Sequence, residues 1–437
     1  MKKVIAEYFG LASAGTTIRR EIVAGLTTFF TMSYIIAVNP AILKVAGIPA
    51  GPTMVATVLT AIFGTLLMGL YANLPFAIAP YMGENAFVAY TVVRVLGYRW
   101  QTALGAVFIA GLLFTILTFG HVRRWMVEAV PLTLRYSFAA GIGLFMAFVG
   151  FNECGIVTIG VPGAPVRMGL LTSAPVLVAI AGFTLIAILM LWRVPAAILI
   201  GLMATSALAF AIRIAPTPTA IVGIPPSPLP IILQLDLHGA FSWGFFGVGL
   251  TIFVMAFNDT MGTLVGVAQR AGMLDQNGNL PRIERPMLAD ALATTFAALV
   301  GTTTAGAYIE SAAGVAAGGR TGLTAVVVAS LFALSLFLTP LMTSIPPAAY
   351  GPVLILVGVM MLEPIIRISF DDLSEAIPAF AVVTLMSFTY NIGVGVTAGF
   401  ILYPLLKVAV GRWREVKPGL WMLAGLSLLF YIFYPYG

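Results

Sequence analysis

Apolar stretches of about 20 residues repeat along almost the whole of this 437-residue chain, and a helix of that length spans the hydrocarbon of a bilayer. Only 9% of the residues are charged and 60% are hydrophobic, whereas a soluble domain carries roughly 25% charged residues. The pattern predicts an all-α polytopic membrane protein. Fourteen transmembrane spans are predicted, at 21–43, 51–73, 75–96, 100–119, 132–151, 173–192, 194–213, 241–267, 286–301, 302–318, 321–341, 347–366, 375–390 and 393–411.

Lysine and arginine lie mainly in alternate loops, and this predicts the orientation because positive loops stay cytoplasmic. With a cytoplasmic N-terminus, the loop 269–286 is inside, and the loop 214–239, which has no lysine or arginine, is outside. The net charge of +6 then reflects topology, and no nucleic-acid partner is predicted. We expect a multi-pass protein of the plasma (inner) membrane. The last apolar stretch, 420–434, is short and is predicted to lie at the interface.

Two of the predicted spans do not begin like helices. Span 3 opens with "PFAIAP", and span 10 opens with "TTTAGAY". Prolines and consecutive threonines favour extended chain, so each span is predicted to be a short strand followed by a half-helix. Such a break is tolerated in a membrane only where protein or a water-filled cavity satisfies the free backbone groups.

The two halves of the chain resemble each other. A shift of 226 residues places Glu84 on Glu310 and Asn85 on Ser311, and a shift of 224 places "GLTTFF" on "GLTIFV". Two repeats of seven spans follow, and the second is inverted in the membrane because seven is odd. Inversion predicts that the extended pieces of spans 3 and 10 pair as antiparallel strands.

Three acidic residues are predicted to lie within the membrane. Glu84 and Glu310 fall in the first turns of the half-helices, where free N–H groups and the helix dipole favour an anion or a polar ligand. Burial favours the neutral acid instead, so these carboxyls are candidates for proton uptake and release. The alternative interpretation is that each glutamate only caps its own half-helix. Asp259, in "MAFNDTMGTLVG", lies mid-span with Thr260 and Thr263 nearby, and its alternative role is hydrogen bonding to helix threonines.

Other polar residues in the spans are interpreted as structural. Asp290 and Glu363 lie near predicted helix ends, and Asn39 before Pro40 is predicted to cap the end of span 1. His121 and His238 lie in loops on opposite sides, and the sequence contains no zinc, phosphate-binding or nucleophile motif. We therefore predict no enzyme activity, no metal site and no cofactor.

The stretches "GLTTFFTMSYIIAVNPAIL", "GTLLMGLYANLPFAIAPYMGENAF", "DTMGTLVGVAQRAGML" and "YIESAAGVAAGGRTGLTAVVV" resemble the AzgA-like purine permeases of the nucleobase–cation symporter-2 superfamily. The resemblance extends from about residue 8 to 411. It implies the uracil-permease fold, with a core domain (residues 1–120 and 241–345) and a gate domain (121–240 and 346–437). It also implies proton-coupled uptake of adenine, guanine or hypoxanthine, and related folds form gate-domain homodimers.

Residue by residue, the family's substrate-binding aspartate of span 8 falls on Asp259, and the glutamate of span 10 falls on Glu310. The span 3 asparagine falls on Asn85, with the preceding small residue on Gly83. Two departures stand out. Glu84 replaces the usual leucine, and "AFNDT" replaces the usual "DxFDT", so that Asn258 stands where the family has phenylalanine.

The predicted substrate is a planar purine between the two half-helix N-termini, with protons or another cation as the coupling ion. The predicted binding residues are Asp259, Glu310, Asn85, Gly83, Glu84, Ser311, Phe257, Phe30 and Thr263, and the predicted proton-coupling residues are Glu310, Asp259 and Glu84. One alternative is a transporter of the same fold for uracil, xanthine or a small anion, although buried acids would repel an anion. A further alternative, an intramembrane enzyme, lacks a recognisable catalytic set.

Overall fold

A computed structural model describes residues 2–119, 130–161, 164–242, 245–273 and 280–433. Among these residues, eight helical stretches are long and apolar enough to cross a membrane, and four apolar helices are shorter. The helices are α1 Lys2–Tyr8, α2 Ile18–Met32, α3 Ile35–Val45, α4 Ala50–Leu66, α5 Met82–Ala86, α6 Trp100–Phe119, α7 Leu132–Glu153, α8 Ala174–Leu191, α9 Ala197–Ala211, α10 Leu237–Ala240, α11 Phe246–Arg270, α12 Glu284–Val300, α13 Ser311–Ala316, α14 Gly322–Ser335, α15 Thr339–Met342, α16 Pro347–Met361, α17 Leu373–Phe388, α18 Ile392–Ala409 and α19 Pro418–Phe433. The strands are β1 Ile78–Pro80, β2 Val157–Val161, β3 Ala164–Met168 and β4 Ala305–Ala307.

The first predicted span is broken into α2 and α3 at Ser33 and Tyr34. The prediction that Asn39 caps a helix end is wrong, because Asn39 lies inside α3 and is fully buried. Its amide nitrogen donates to Thr57 Oγ1 at 2.7 Å and to Thr302 Oγ1 at 3.1 Å. Asn39 therefore joins three segments of the bundle, a contact that the Asn-Pro sequence alone does not reveal.

Strands β1 and β4 form the centre of the fold. They pair antiparallel, with Ile78 opposite Ala307 and Pro80 opposite Ala305, and all six residues are buried. This confirms the predicted pairing of the two extended pieces. Each strand supplies backbone partners that the other needs inside an apolar bundle. Asp290 Oδ1 accepts a further hydrogen bond from the Ala307 amide at 2.9 Å.

A half-helix follows each strand, as predicted. After β1, the helix α5 continues through Phe87–Val95 with wider, π-type turns. After β4, the chain turns into the six-residue α13. Glu84 lies in the first turn of α5, and Glu310 is the residue that directly precedes α13, so both acids occupy the predicted helix starts.

Helix α2 packs closely against α13 and α14. A side chain at Gly314 would place its Cβ 2.0 Å from Thr28 Oγ1, so only glycine permits this approach. Glu21 is fully buried at the start of α14, where Oε1 accepts from the Arg320 amide at 2.9 Å. Its Oε2 accepts from the Thr324 amide at 3.2 Å and the Thr324 hydroxyl at 2.7 Å. Glu21 thus satisfies free N–H groups at a helix N-terminus.

The loop 214–239 lies over helix ends on one face of the bundle. Gly223 donates to Phe337 O, Leu233 donates to Leu299 O, and Asp236 donates to Gln101 O. These three acceptors belong to the helix ends predicted to be external, and the membrane side of this face stays a prediction. The β2–β3 hairpin between α7 and α8 was not predicted from the sequence.

Near one end of the bundle, a carboxylate joins three helices. Glu153 accepts hydrogen bonds from Tyr90 at 2.7 Å and from Tyr350 at 2.5 Å. Tyr90 belongs to the helical continuation of α5, whereas Glu153 ends α7 and Tyr350 lies in α16. Beside them, the Thr91 hydroxyl donates to the Tyr390 carbonyl at 2.6 Å. The half-helix that carries Glu84 is therefore tied to α7, α16 and the end of α17.

An ion-pair cluster joins the end of α18 to the start of α17 and to the segment before α19. The fully buried Lys407 Nζ lies 2.6 Å from Glu375 Oε1 and 3.1 Å from Glu415 Oε2. Arg412 bridges Asp372 at 2.5 Å and Glu415 at 2.6 Å. Hydrogen bonds from Ser374 and Arg412 hold the pKa of the Asp372 carboxyl well below its usual range.

Candidate functional site

Glu310 lies partly exposed directly before α13, between the exposed Ile309 and the buried Ser311. The Tyr34 hydroxyl donates to its Oε1 at 2.5 Å, at the short end of the range for a hydroxyl bonded to a carboxylate. Tyr34 is 1% exposed and belongs to the break between α2 and α3. An acid of the second half of the chain is therefore held by a phenol of the first half.

Glu84 and Asn85 are fully buried on α5. Neither Glu84 carboxyl oxygen has a hydrogen-bond partner among the described residues, and the same holds for both polar atoms of the Asn85 amide. Unsatisfied buried polar groups cost about 1–3 kcal/mol each, so such a set points to a ligand or water that completes it. Glu84 also lies within electrostatic range of Asp259 and Asp290.

Asp259 lies partly exposed in the middle of α11, beside β4. The next residue, Thr260, donates a very short hydrogen bond to Asp290 Oδ2 and does not bond Asp259 in this way. Asp290 is 2% exposed and also accepts from the β4 backbone. Asp290 thus anchors α11 to α12 and β4, which agrees with a structural role. Thr263 is partly exposed one turn beyond Asp259.

Two tyrosines stand at the strand ends between these acids. The Tyr81 and Tyr308 rings are nearly parallel, with an interplanar angle of 8° and centroids 6.3 Å apart. The Tyr308 hydroxyl donates a very short hydrogen bond to the Pro80 carbonyl. Tyr308 lies within electrostatic range of Glu84, Asp259 and Glu310. These three acids, named here the acidic cluster, therefore all interact electrostatically with one aromatic residue beside the strand pair.

The other residues predicted to bind substrate differ in burial and in the groups that they contact. Ser311 is fully buried and its hydroxyl accepts from the Ala77 amide at 3.0 Å, so it supports the approach to β1. Gly83 lies on α5, where an added Cβ would meet Ile142 at 2.7 Å. Phe30 is 41% exposed on α2, against the edge of the Phe29 ring. The side chains of Phe257 and Asn258 lie outside the described part of the structure.

Four residues that these contacts involve were not predicted from the sequence: Tyr34, Tyr81, Tyr308 and Glu21. Each carried a signal: Tyr34 interrupts a span six residues before Pro40, and a tyrosine stands two or three residues before Glu310 and Glu84. Glu21 is an acid at the start of an apolar span, the kind of intramembrane group that always needs a partner. What it bonds is set only by the packing of α2 on α14.

This arrangement offers carboxyl groups and an amide near parallel aromatic rings in an apolar bundle. Such a set can bind a flat, polar molecule through hydrogen bonds in its plane and ring contacts on its faces. The acids can also exchange protons, because neighbouring carboxyls in a low-dielectric region do not all ionise at once.

The sequence was compared with known proteins. The profile of the Permease family (Xan_ur_permease) matches residues 19–400. A putative permease of Methanocaldococcus jannaschii is 45% identical over 99% of both chains. Adenine permease AdeP of Escherichia coli is 40% identical, covering 98% of this chain and 96% of AdeP. Guanine/hypoxanthine permease PbuO of Bacillus subtilis is 41% identical, covering 97% of this chain and 99% of PbuO.

The fold was compared with solved structures. The transmembrane domain of the cyanobacterial bicarbonate transporter BicA superposes with a TM-score of 0.64 at 15% identity, covering 87% of this chain and 97% of that domain. This likeness shows a shared helical, polytopic membrane fold. The family profile and the full-length relatives show which family this fold serves here: the chain belongs to the Permease family and is a multi-pass membrane transporter, not an enzyme.

Proposed function

We propose that this protein transports purine nucleobases (adenine, guanine or hypoxanthine) into the cytoplasm by proton-coupled symport. The observation that carries the proposal is the acidic cluster of Glu84, Asp259 and Glu310 beside the β1–β4 pair. Relatives named adenine permease and guanine/hypoxanthine permease, matched over nearly their whole length, support the substrate class.

In the proposed complex, the purine lies near Tyr308 between the starts of the two half-helices. Asp259 and Glu310, the partly exposed acids, bond the N–H and amino edge of the ring. Asn85, whose amide has no partner among the described residues, serves ring acceptors on the other edge. Phe30, Phe257 and Thr263 complete the proposed site, and Ser311 and Gly83 hold its backbone frame.

Proton coupling follows in this proposal from carboxyls that bind the purine in only one protonation state. Glu84 and Asp259 interact electrostatically in an apolar setting, so a proton shared between them lowers the repulsion. Glu310 has a donor already in place, because the Tyr34 hydroxyl bonds one of its oxygens. Release of the proton on the cytoplasmic side would then weaken purine binding there.

Alternating access is proposed to arise from movement of a core domain (1–120 and 241–345) against a gate domain (121–240 and 346–437), in a fold of fourteen spans and two inverted repeats. The antiparallel β1–β4 pair supports the inverted arrangement. The hydrogen bonds of Tyr90 to Glu153 and of Thr91 to Tyr390 cross the proposed domain boundary. They must break when the half-helix α5 moves relative to the gate. A homodimer through the gate domains is compatible with this scheme.

A binding panel tests the substrate class. Purified protein is heated with purines, pyrimidines, sulfate or bicarbonate at two pH values, because a ligand that binds the folded state raises the melting temperature. We expect stabilisation by at least one purine and none by sulfate or bicarbonate. Stabilisation by bicarbonate alone would instead favour the anion transport named for the structural relative BicA.

The topology prediction concerns loops on opposite membrane sides. In a Cys154→Ala background, Thr219→Cys should react with an impermeant thiol reagent added outside intact cells, and Pro281→Cys should react only after permeabilisation. Both positions are exposed in the structure. Gln276, in the middle of the same inner loop, lies outside the described residues. The reverse labelling pattern would contradict the positive-inside assignment.

Glu84 is expected to tune the site rather than create it. Because the family carries leucine at this position, Glu84→Leu should leave folding and purine uptake intact but shift the pH profile of uptake or the preference among purines. The measurement is competitive uptake of three purines between pH 5 and 8. If the pH profile of uptake and the preference among purines are both unchanged, Glu84 acts only as a helix cap. Glu84→Leu with Asn258→Phe should behave more like the ordinary family.

A further inference from the structure

The two carboxyl oxygens of Glu310 have different surroundings. Oε1 accepts from the Tyr34 hydroxyl at 2.5 Å, on the buried side. Besides Tyr34, the protein group that hydrogen-bonds this carboxyl is the backbone of Glu310 itself, and the Glu310 side chain is partly exposed. One oxygen is therefore occupied by the protein, and the other is the oxygen available to a ligand.

The direction of the Tyr34 hydrogen bond is fixed by burial. Tyr34 is 1% exposed, and within the described ranges Glu310 is the hydrogen-bond partner of its hydroxyl. A phenol that turned its proton away from Oε1 would leave that proton unpaired in an apolar setting, which is costly. The phenol therefore donates, and Oε1 accepts in both protonation states of Glu310.

We propose that Tyr34 is a positioning residue that reserves Oε2 of Glu310 for the transported base and directs any proton taken up by Glu310 to that oxygen. This inference rests on the proposed function and deepens it. The ligand meets Glu310 through a single oxygen, which accepts from a ring N–H when ionised and donates to a ring nitrogen or carbonyl when protonated. Tyr34 thereby decides which purine edge each protonation state accepts.

The frame around this pair does not depend on the phenol. Helix α13 is held on α2 by the close approach of Gly314 to Thr28. Helix α14 is held there by the hydrogen bonds of Glu21 to Arg320 and Thr324. Tyr34→Phe keeps the ring in place and removes only the donor. Its effect on purine binding therefore reports on the orientation of Glu310.

The test is a double-mutant cycle on uptake and binding of adenine, guanine and hypoxanthine. Tyr34→Phe should raise the KM for the preferred purine about tenfold, the cost of a lost hydrogen bond to a charged group, with a smaller change in Vmax. In a Glu310→Gln background the same substitution should have little further effect, because Tyr34 acts through the carboxylate. Where Glu310→Gln binds too weakly to measure, Glu310→Asp replaces it, since the shorter side chain withdraws from the phenol.

The matched control is Tyr8→Phe. Tyr8 lies on α1, and its hydroxyl donates to the Leu70 carbonyl at 2.9 Å. This substitution should leave KM unchanged. Wild-type KM and purine preference in Tyr34→Phe, or an equal loss with and without the Glu310 carboxylate, would overturn the role of Tyr34 while leaving purine transport standing. Failure of the wild-type protein to bind any purine would overturn both.

Discussion

Asp259→Asn and Glu310→Gln are expected to cripple purine accumulation while leaving the protein folded. Each substitution keeps the shape of the side chain but replaces a carboxylate oxygen by an amide donor, which opposes a ring N–H. The loss of a charge-assisted hydrogen bond should cost about 1.5–3 kcal/mol of purine affinity, or roughly 10- to 140-fold in Kd. Equilibrium binding gives the affinity, and uptake at an imposed proton gradient gives the accumulation.

The controls for these variants are Asp371→Asn and Glu363→Gln, which remove carboxylates from exposed positions outside the acidic cluster. Both should retain wild-type binding and uptake. If Asp259→Asn and Glu310→Gln also retain wild-type affinity and proton-driven accumulation, the substrate site does not lie at the acidic cluster. Thermal unfolding of each variant separates loss of binding from loss of the fold.

Glu21→Ala is expected to cause the largest loss of stability. The substitution removes the acceptor for the amides of Arg320, Thr321 and Thr324 and for the Thr324 hydroxyl, all at the start of α14. Buried donors left without a partner cost about 1–3 kcal/mol each, so a loss of roughly 3 kcal/mol or more is expected even after partial relaxation. The melting temperature in detergent should fall accordingly.

The matched control is Glu7→Ala, which removes an exposed glutamate from α1. Surface substitutions of this kind usually change stability by no more than about 0.5 kcal/mol. Equal melting temperatures for Glu21→Ala and the control would mean that water replaces the carboxylate at this helix start. A selective loss would show that α2 holds α14, and through it α13, in place.

Some features of the site could be predicted because their signals are local. Prolines and threonines at the start of spans 3 and 10 predicted extended chain, and the strands β1 and β4 lie there. Glu84 and Glu310 were placed at helix starts by the residues that surround them in the sequence. The same local reasoning gave a wrong prediction for Asn39. An Asn-Pro pair is typical of a helix end, but this pair lies inside α3.

Hydropathy and charge, read from the sequence alone, determined the membrane class, the broken spans and the acids at their centre, because each depends on neighbouring residues along the chain. The tertiary structure decided which groups meet. Tyr34 bonds Glu310 across 276 residues of sequence, and Glu21 bonds Thr324 across 303. Asp290, Thr260 and Ala307 meet only where α12, α11 and β4 pack together. Such contacts follow from the packing of distant segments, so no local pattern in the sequence encodes them.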